Sequence, residues 1–235
     1  MQTLIIIPTY NEVENIETLV NNIYSQLKNN FSILISDDNS SDGTKTKIIH
    51  LQNKFPNIQS ISQSRKMGLA NAYIEGLKYG LKNGFDVFIE MDADFSHDPK
   101  YLPEFLEQIK TNDLVIGSRY IKNGQTKNWK LIRKIISKLG CIYSKLILNT
   151  PIKDLTGGYN CWNKSVLEKI NLDTIISKGY AFQIEMKYKA HKHNAKIKEI
   201  PITFIDRKKG KSKLDLQIIF EAFINVLRIK FDISK

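Results

Sequence analysis

Only two cysteines, six prolines and five arginines (65, 119, 133, 207 and 228) occur among 235 residues. Cys141 and Cys161 match neither a metal-ligand spacing nor a disulfide framework, so a reducing compartment is the simpler expectation. Low proline and glycine exclude collagen-like and low-complexity classes. No stretch approaches the roughly 20 apolar residues needed to span a bilayer. The run Leu4 to Ile7 is too short for a signal-peptide core and is cut by Pro8. The expectation is a chain that begins and ends on one side of any membrane, without a recognisable export signal. No glycine-rich turn follows the first apolar run; Pro8-Thr9-Tyr10 stands there instead, against a dinucleotide-binding dehydrogenase. What is present is an ordinary globular composition, 42% hydrophobic and 25% charged. A chain this long can bury roughly 70–75% of its unfolded surface around one core. Net charge is +11, which points to anionic partners: nucleic acid, anionic lipid or phosphorylated substrates. A Lys- and Asn-rich surface of biased genomic origin explains that charge at least as well as nucleic-acid binding does.

Thr3 to Ile7 is a β-branched apolar run, the pattern of a strand buried on both faces. A helical pattern begins at Asn11, and Phe31 to Ser36 reads as a second strand. A helix to about Phe55, a strand at Ile58 to Ser62, a helix over Leu69 to Asn83 and a strand over Phe85 to Met91 follow. Beyond Pro103 the pattern predicts a helix to Lys110, a strand at Leu114 to Gly117 and an amphipathic stretch over 129–148. Asp154 to Cys161 reads as a glycine-containing loop, Glu185 to His193 as a helix, Lys198 to Ile205 as a strand and 214–231 as a final amphipathic helix. With no repeat and no linker, residues 1–235 read as one catalytic domain. Alternating strands and helices predict an α/β fold with a central, mostly parallel sheet and helices on both faces. Such sheets bind ligands beyond the carboxyl ends of their strands. Three polar clusters, at 8–12, 37–43 and 92–98, fall at such ends.

Asp92-Ala93-Asp94 carries the sharpest chemistry. Two carboxylates one residue apart at a strand end can both approach one hard divalent cation, which Mg²⁺ complexes commonly complete with waters and substrate phosphates. A solvated acidic turn is the plain alternative, as are helix caps at Asn11 and at Ser41 or Asp42. Those alternatives leave unexplained why carboxylates recur at three neighbouring strand ends, where their repulsion is costly without a ligand or cation.

IIIPTYNE, SDDNSSDGT, MGLANAYIEGLKYG, EMDADFSHDP and VIGSRY, in this order, resemble a family 2 glycosyltransferase of GT-A fold. DLTGGYNCW, GYAFQIEM and DRKKGKSKL resemble, more narrowly, the short dolichol-phosphate (polyprenol-phosphate) mannose synthases without transmembrane helices. The resemblance spans about residues 3–215. It implies inverting transfer of mannose from GDP-mannose to a polyprenyl or dolichyl monophosphate, with Mg²⁺ or Mn²⁺. By similarity, Pro8, Tyr10, Glu12, Ser36 and Asp38 hold the nucleotide's base and ribose, with Ala93 beside them. Asp92, Asp94 and Ser96 hold the metal against the diphosphate, where it neutralises the leaving group. An ionised lipid phosphate needs no general base, so the burden falls on cations that bring two anions together. Arg119, Arg133, Ser137, Arg207 and Lys213 match the phosphate-contacting positions; Arg119, Arg133 and Ser137 would serve the acceptor. Asp94 and Arg119 are the catalytic candidates. Arg133 and Ser137, four apart, share a helix face. Gly210 and Ser212 suggest a flexible basic loop that closes over the diphosphate.

The lipid acceptor implies peripheral contact with the cytoplasmic side of a membrane, the endoplasmic reticulum in a eukaryote. Residues 129–148 are the docking candidate, and 214–231 meets either the membrane or a small membrane-anchoring subunit. The sequence departs from the family pattern at GLANA and GGYNCW and has no C-terminal transmembrane pair. Alternatives are a UDP-glucose:polyprenyl-phosphate glucosyltransferase, or transfer to a sugar hydroxyl with Asp154 or Glu185 as general base. A nucleic-acid-binding domain is a different class, disfavoured because the basic cluster has no aromatic interleaving and no recognised motif.

Overall fold

The computed structural model describes residues 1–206 and 216–231, with the backbone alone for Tyr180 and 216–222. Strands β1 (Thr3–Thr9), β2 (Phe31–Asp37), β3 (Ile58–Ser62) and β4 (Val87–Glu90) alternate with helices α1 (Ile16–Gln26), α2 (Thr44–Lys54) and α3 (Leu69–Lys82). Helix α4 (Leu102–Gln108), strands β5 (Leu114–Ser118) and β6 (Gln125–Lys127), and the long α5 (Leu131–Leu148) follow. The remainder is β7 (Asn160–Asn163), α6 (Lys164–Leu167), α7 (Tyr180–Lys192), β8 (Ile197–Pro201), β9 (Thr203–Ile205) and α8 (Leu216–Phe231).

Seven strands form one sheet in the order β3-β2-β1-β4-β7-β5-β8, and β6 pairs with β9 in a second, small sheet. All neighbours in the large sheet run parallel except β7, which lies antiparallel between β4 and β5. The α/β architecture with a mostly parallel sheet is therefore as the sequence predicts. Every residue of β1 is buried, because one apolar layer covers each face. Ile5, Ile7 and Ile89 face α1, α2 and α4 through Ile16, Leu19, Ile48 and Phe105. Leu4, Ile6 and Phe88 face α3, α7 and α8 through Tyr73, Leu77, Phe182 and Val226. Helix α3 approaches closely: a Cβ on Gly76 would lie 2.5 Å from Ile6 Cγ2.

Four elements differ from expectation. Asn11 does not open α1, because it sits in the left-handed region at φ 60° and the helix starts at Ile16. The segment read as a loop to Cys161 instead ends in β7: Tyr-Asn-Cys-Trp shows no apolar alternation, since a central strand is covered on both faces. Helix α7 begins five residues earlier than its pattern suggests, because it is buried nearly all round and has no polar face to mark its period. The strand over 198–205 breaks at Ile202, whose N–H bonds the Ser118 carbonyl as the chain passes from the large sheet to β6. Residues 214 and 215, where the pattern predicts the final helix to begin, lie outside the described residues.

Candidate active site

The parallel register places Thr9 beside Asp37 and Ile6 beside Glu90, so the ends of β1, β2 and β4 open on one rim. Much of the acidic character there is used internally. Asp37 accepts from Thr9 Oγ1 (3.0 Å) and from Ser40 N–H (3.0 Å) and Oγ (2.5 Å). The N-cap position of α2 is Gly43 rather than Ser41 or Asp42; Asp42, just before it, accepts from Thr44 N–H at 3.0 Å. Glu12 donates its N–H to Thr44 Oγ1 (2.9 Å), and Ser41 N–H reaches Asn11 Oδ1 (3.0 Å), stitching the first two loops together. Asp38 accepts from the backbone N–H groups of Met67 (2.6 Å) and Gly68 (2.8 Å), fixing the entry to α3. Ser36 is buried in β2, Pro8 is buried in β1, and Tyr10 is exposed with Lys66 Nζ 3.4 Å above its ring.

The Asp92-Ala93-Asp94 segment leaves β4 with both carboxylates partly exposed and Ala93 buried. Asp92 Oδ1 accepts from the buried Tyr73 hydroxyl at 2.7 Å, and Asp94 Oδ1 accepts from Ser96 N–H at 3.1 Å. Phe95 adopts φ 62°, a conformation that β-carbon sterics disfavour and that recurs where function constrains the chain. His97, buried and stacked on Tyr159 at 4.7 Å, accepts the Asp92 N–H on Nδ1 at 2.9 Å. Its proton therefore sits on Nε2, and burial lowers its pKa in spite of Asp92 and Asp94. The sequence assigns neither Tyr73 nor His97 a role: both fall inside stretches that resemble the family, Tyr73 in MGLANAYIEGLKYG and His97 in EMDADFSHDP, but neither spacing marks them as supports of Asp92. Below them, Glu90 is fully buried, accepts from Asn160 Nδ2 at 2.7 Å, and is pushed by burial up to about 7.

The donor set fits a hard divalent cation. Among the described residues no group of three or more His, Cys, Asp or Glu could hold a metal. Asp92 and Asp94 can offer two oxygens and leave the remaining positions to water and diphosphate, the arrangement Mg²⁺ favours. Ser96 Oγ is buried and has no partner among the described residues.

Across the rim, Arg119 leaves β5 buried, gripped by Asp154 through Nε (2.8 Å) and Nη2 (2.6 Å), while its N–H also reaches Asp154 Oδ2 (2.8 Å). Its guanidinium lies 5.4 Å from the Trp129 ring and 5.5 Å from Phe204. Phe204 meets His97 edge-on, so aromatic packing joins the arginine side to the carboxylate side. Arg133 stacks over Trp129 at 4.1 Å and pairs with Asp206 at 2.7 Å; Ser137 Oγ accepts from Tyr120 at 2.7 Å. Arg119, Arg133 and Ser137 thus share one cluster. Arg207 and Lys213 lie outside the described residues.

Two further carboxylates are committed elsewhere. Asp154 receives Arg119 and the Gly157 N–H; burial raises its pKa, but Arg119 outweighs that and holds it below the usual carboxylate range. Glu185 is buried, accepts from Ser177 N–H at 2.9 Å and pairs with Lys189. Neither is poised to take a proton from a substrate.

A seven-stranded α/β sheet with an acidic pair at one strand end is the frame of a GT-A glycosyltransferase, and residues 4–171 match the glycosyl transferase family 2 model: the chain belongs to that family. An undecaprenyl-phosphate mannosyltransferase of Micrococcus luteus is 40% identical over 228 residues, 97% of this chain and 93% of that protein. A polyprenol monophosphomannose synthase of Mycolicibacterium smegmatis is 40% identical over 227 residues, 96% of this chain and 85% of that protein. Glucosyl-3-phosphoglycerate synthase of Mycobacterium tuberculosis, solved with Mn²⁺, uridine diphosphate and glucosyl-3-phosphoglycerate, superposes with TM-score 0.73 at 15% identity, over 100% of this chain and 81% of that one. That likeness bears on the fold.

Proposed function

We propose that this glycosyltransferase moves mannose from GDP-mannose to a polyprenyl monophosphate, with inversion and with Mg²⁺ or Mn²⁺, at the cytoplasmic face of a membrane. The observation that carries the reading is the two-sidedness of α5. Arg133, Ser137 and the buried Cys141, Ser144 and Leu148 run along its inner side. Leu131 (72% exposed), Ile132, Ile135, Leu139, Ile142 and Leu146 (73%) run along its outer side at helical spacing. One helix thus offers the Arg133 guanidinium and hydroxyls inward and an apolar stripe outward, which suits a substrate with a phosphate head and a lipid tail. The 40% identical mannosyltransferase relatives support the same sugar and acceptor class.

In this reading a divalent cation at Asp92 and Asp94 supplies Lewis-acid stabilisation of the leaving diphosphate. Tyr73 and His97 hold Asp92 in place from the side chain and the backbone. Arg119 and Arg133 draw the acceptor phosphate towards the anomeric carbon. A phosphate monoester's second ionisation lies near 6, so its oxygen attacks without a general base. The commitment of Asp154 to Arg119 and of Glu185 to backbone N–H groups weighs against the sugar-hydroxyl acceptor. Titration of GDP and UDP in the presence of Mn²⁺ tests the donor: GDP is expected to bind at least about tenfold more tightly. Tighter binding of UDP would transfer the assignment to UDP-glucose.

The outer stripe of α5 continues through Tyr143, stacked 3.6 Å from Phe223, onto exposed Phe223, Leu227 and Phe231 of α8. Exposed Lys130, Lys134 and Lys138 flank it. Apolar residues edged by lysine fit an anionic bilayer surface. Replacing Leu139 and Leu146 together by glutamate is expected to weaken retention on phosphatidylglycerol-containing vesicles by about tenfold or more, with activity on a short-chain water-soluble acceptor preserved. A dimer in solution that the same change dissociates, with vesicle binding intact, would assign the stripe to a second copy instead.

A further inference from the structure

Lys187 is fully buried in α7, and no carboxylate forms an ion pair with it among the described residues. Its Nζ donates to three backbone carbonyls of one turn: Asp154 (3.0 Å), Leu155 (3.3 Å) and Gly157 (2.5 Å). Three N–H donors meet three acceptors. Burying an ammonium on neutral partners alone is costly, and a methionine-like side chain would fill the space without that cost. The same turn carries Asp154, whose carboxylate takes the Arg119 guanidinium, the Arg119 N–H and the Gly157 N–H. The chain of contacts runs from Lys187 to the turn, from the turn to Asp154, and from Asp154 to Arg119.

We infer that Lys187 is a positioning residue for acceptor binding: its ammonium pins the 154–157 turn and so fixes the direction in which Asp154 presents Arg119. This rests on the reading of Arg119 as an acceptor-phosphate contact. Neither the match of the ammonium to three carbonyls nor its place under the turn depends on that reading. Helix α7 repeats the device before and after Lys187, with Gln183 accepting from Asn160 Nδ2 at 2.7 Å, Glu185 holding Ser177 N–H, and Lys189 Nζ donating to the Thr174 carbonyl at 3.2 Å. It is a buried helix whose polar side chains each tether a loop or strand.

The charged and titratable groups around Lys187 are Asp154 on the turn, Arg119 after β5, Cys141 on α5, Glu90 on β4 and His97 beyond β4. Burial draws the Lys187 pKa down to about 8 despite Asp154. Above that pH the amine keeps two donors for three carbonyls, and its lone pair opposes the third. The acceptor phosphate is already fully ionised there, so a change in acceptor KM belongs to the protein.

The test combines kinetics of wild type and Lys187→Met with backbone hydrogen exchange over residues 150–160. Lys187→Met is expected to raise the acceptor KM at pH 7 by about 10–100-fold, the scale of hydrogen bonds to a charged group. Donor KM should stay unchanged, and exchange at 154–158 should rise while other segments keep theirs. Wild type is expected to show the acceptor KM rising as pH passes from 7 to 9, and the variant to lose that dependence. A variant whose acceptor KM, pH profile and local exchange equal those of wild type overturns the inference. So does one whose kcat falls only with its folded fraction. If Lys187→Met does not fold, the wild-type profile decides, and an acceptor KM flat from pH 7 to 9 overturns it. If wild type transfers no sugar to polyprenyl phosphate, the functional reading fails. The pin then stands or falls on whether wild-type exchange at 154–158, corrected for the chemical rate, accelerates between pH 7 and 9.

Discussion

Asp94→Ala is expected to lower kcat/KM by about 10³-fold or more with the fold intact, because charge on the leaving diphosphate then goes unopposed. Asp94 is the cleaner of the two acidic positions to test. Its carboxylate is partly exposed and accepts from Ser96 N–H, so truncation costs about 1 kcal/mol of stability, or about 2–4 °C in a chain of this size. Asp92→Ala strands the buried Tyr73 hydroxyl and confounds chemistry with packing. Chelation should abolish wild-type transfer, and excess Mn²⁺ should restore wild type but not Asp94→Ala. Transfer at the wild-type rate by the variant, with Tm unchanged, would remove the acidic pair from the mechanism.

The second large effect falls on the Arg119–Asp154 pair. Both partners are almost wholly buried, so solvent screens neither. Asp154→Asn keeps the shape but leaves a guanidinium buried without its counter-charge, at a cost of about 3–5 kcal/mol. In a chain of this length that corresponds to a fall in Tm of about 6–20 °C. Activity should fall as well, since Arg119 loses its direction. Removing the buried charge altogether, in Arg119→Met with Asp154→Asn, leaves an amide oxygen to accept from a backbone N–H of Arg119 or Gly157, and should recover much of the stability and none of the transfer. Losses that simply add in the double variant would show that the pair is not the source. The pH dependence has a definite sign. Burial raises the Asp154 pKa and Arg119 more than reverses it, so the folded value lies below the unfolded one. The contribution is then fully present above about pH 4 and is lost as acid brings the pH through the folded value. Thermal unfolding from pH 7 to 3 measures it.

The parts of the fold that were legible in the sequence obey a simple period. The β-branched run of β1, buried on both faces, and α1, with Ile16, Leu19, Val20 and Ile23 on one side, have patterns that burial alone dictates. The three strand-end clusters could be placed on one rim because parallel strands put their carboxyl ends together. β7 was illegible, since four residues after a glycine pair carry no period and its antiparallel place depends on β4 and β5 being already apart. Tyr73, Glu90 and Lys187 were illegible for a related reason: their work is done across the core, on residues 19, 70 and about 30 positions away, and no local spacing records such partners. Arg119 was named from the match of VIGSRY to the family's phosphate-contacting positions. Its clasp by Asp154 came from the fold, and that clasp changes Asp154 from a candidate base into a counter-ion.

The central claim is transfer of mannose to a lipid phosphate. Its most direct test incubates the protein with GDP-[¹⁴C]mannose, a polyprenyl phosphate in anionic vesicles and Mn²⁺, with UDP-[¹⁴C]glucose in parallel. The proposed function predicts an organic-soluble, acid-labile mannosyl phospholipid that forms from GDP-mannose alone, requires the cation and is absent with Asp94→Ala. Label that stays water-soluble while the protein binds GDP, or lipid that is labelled only from UDP-glucose, would contradict it.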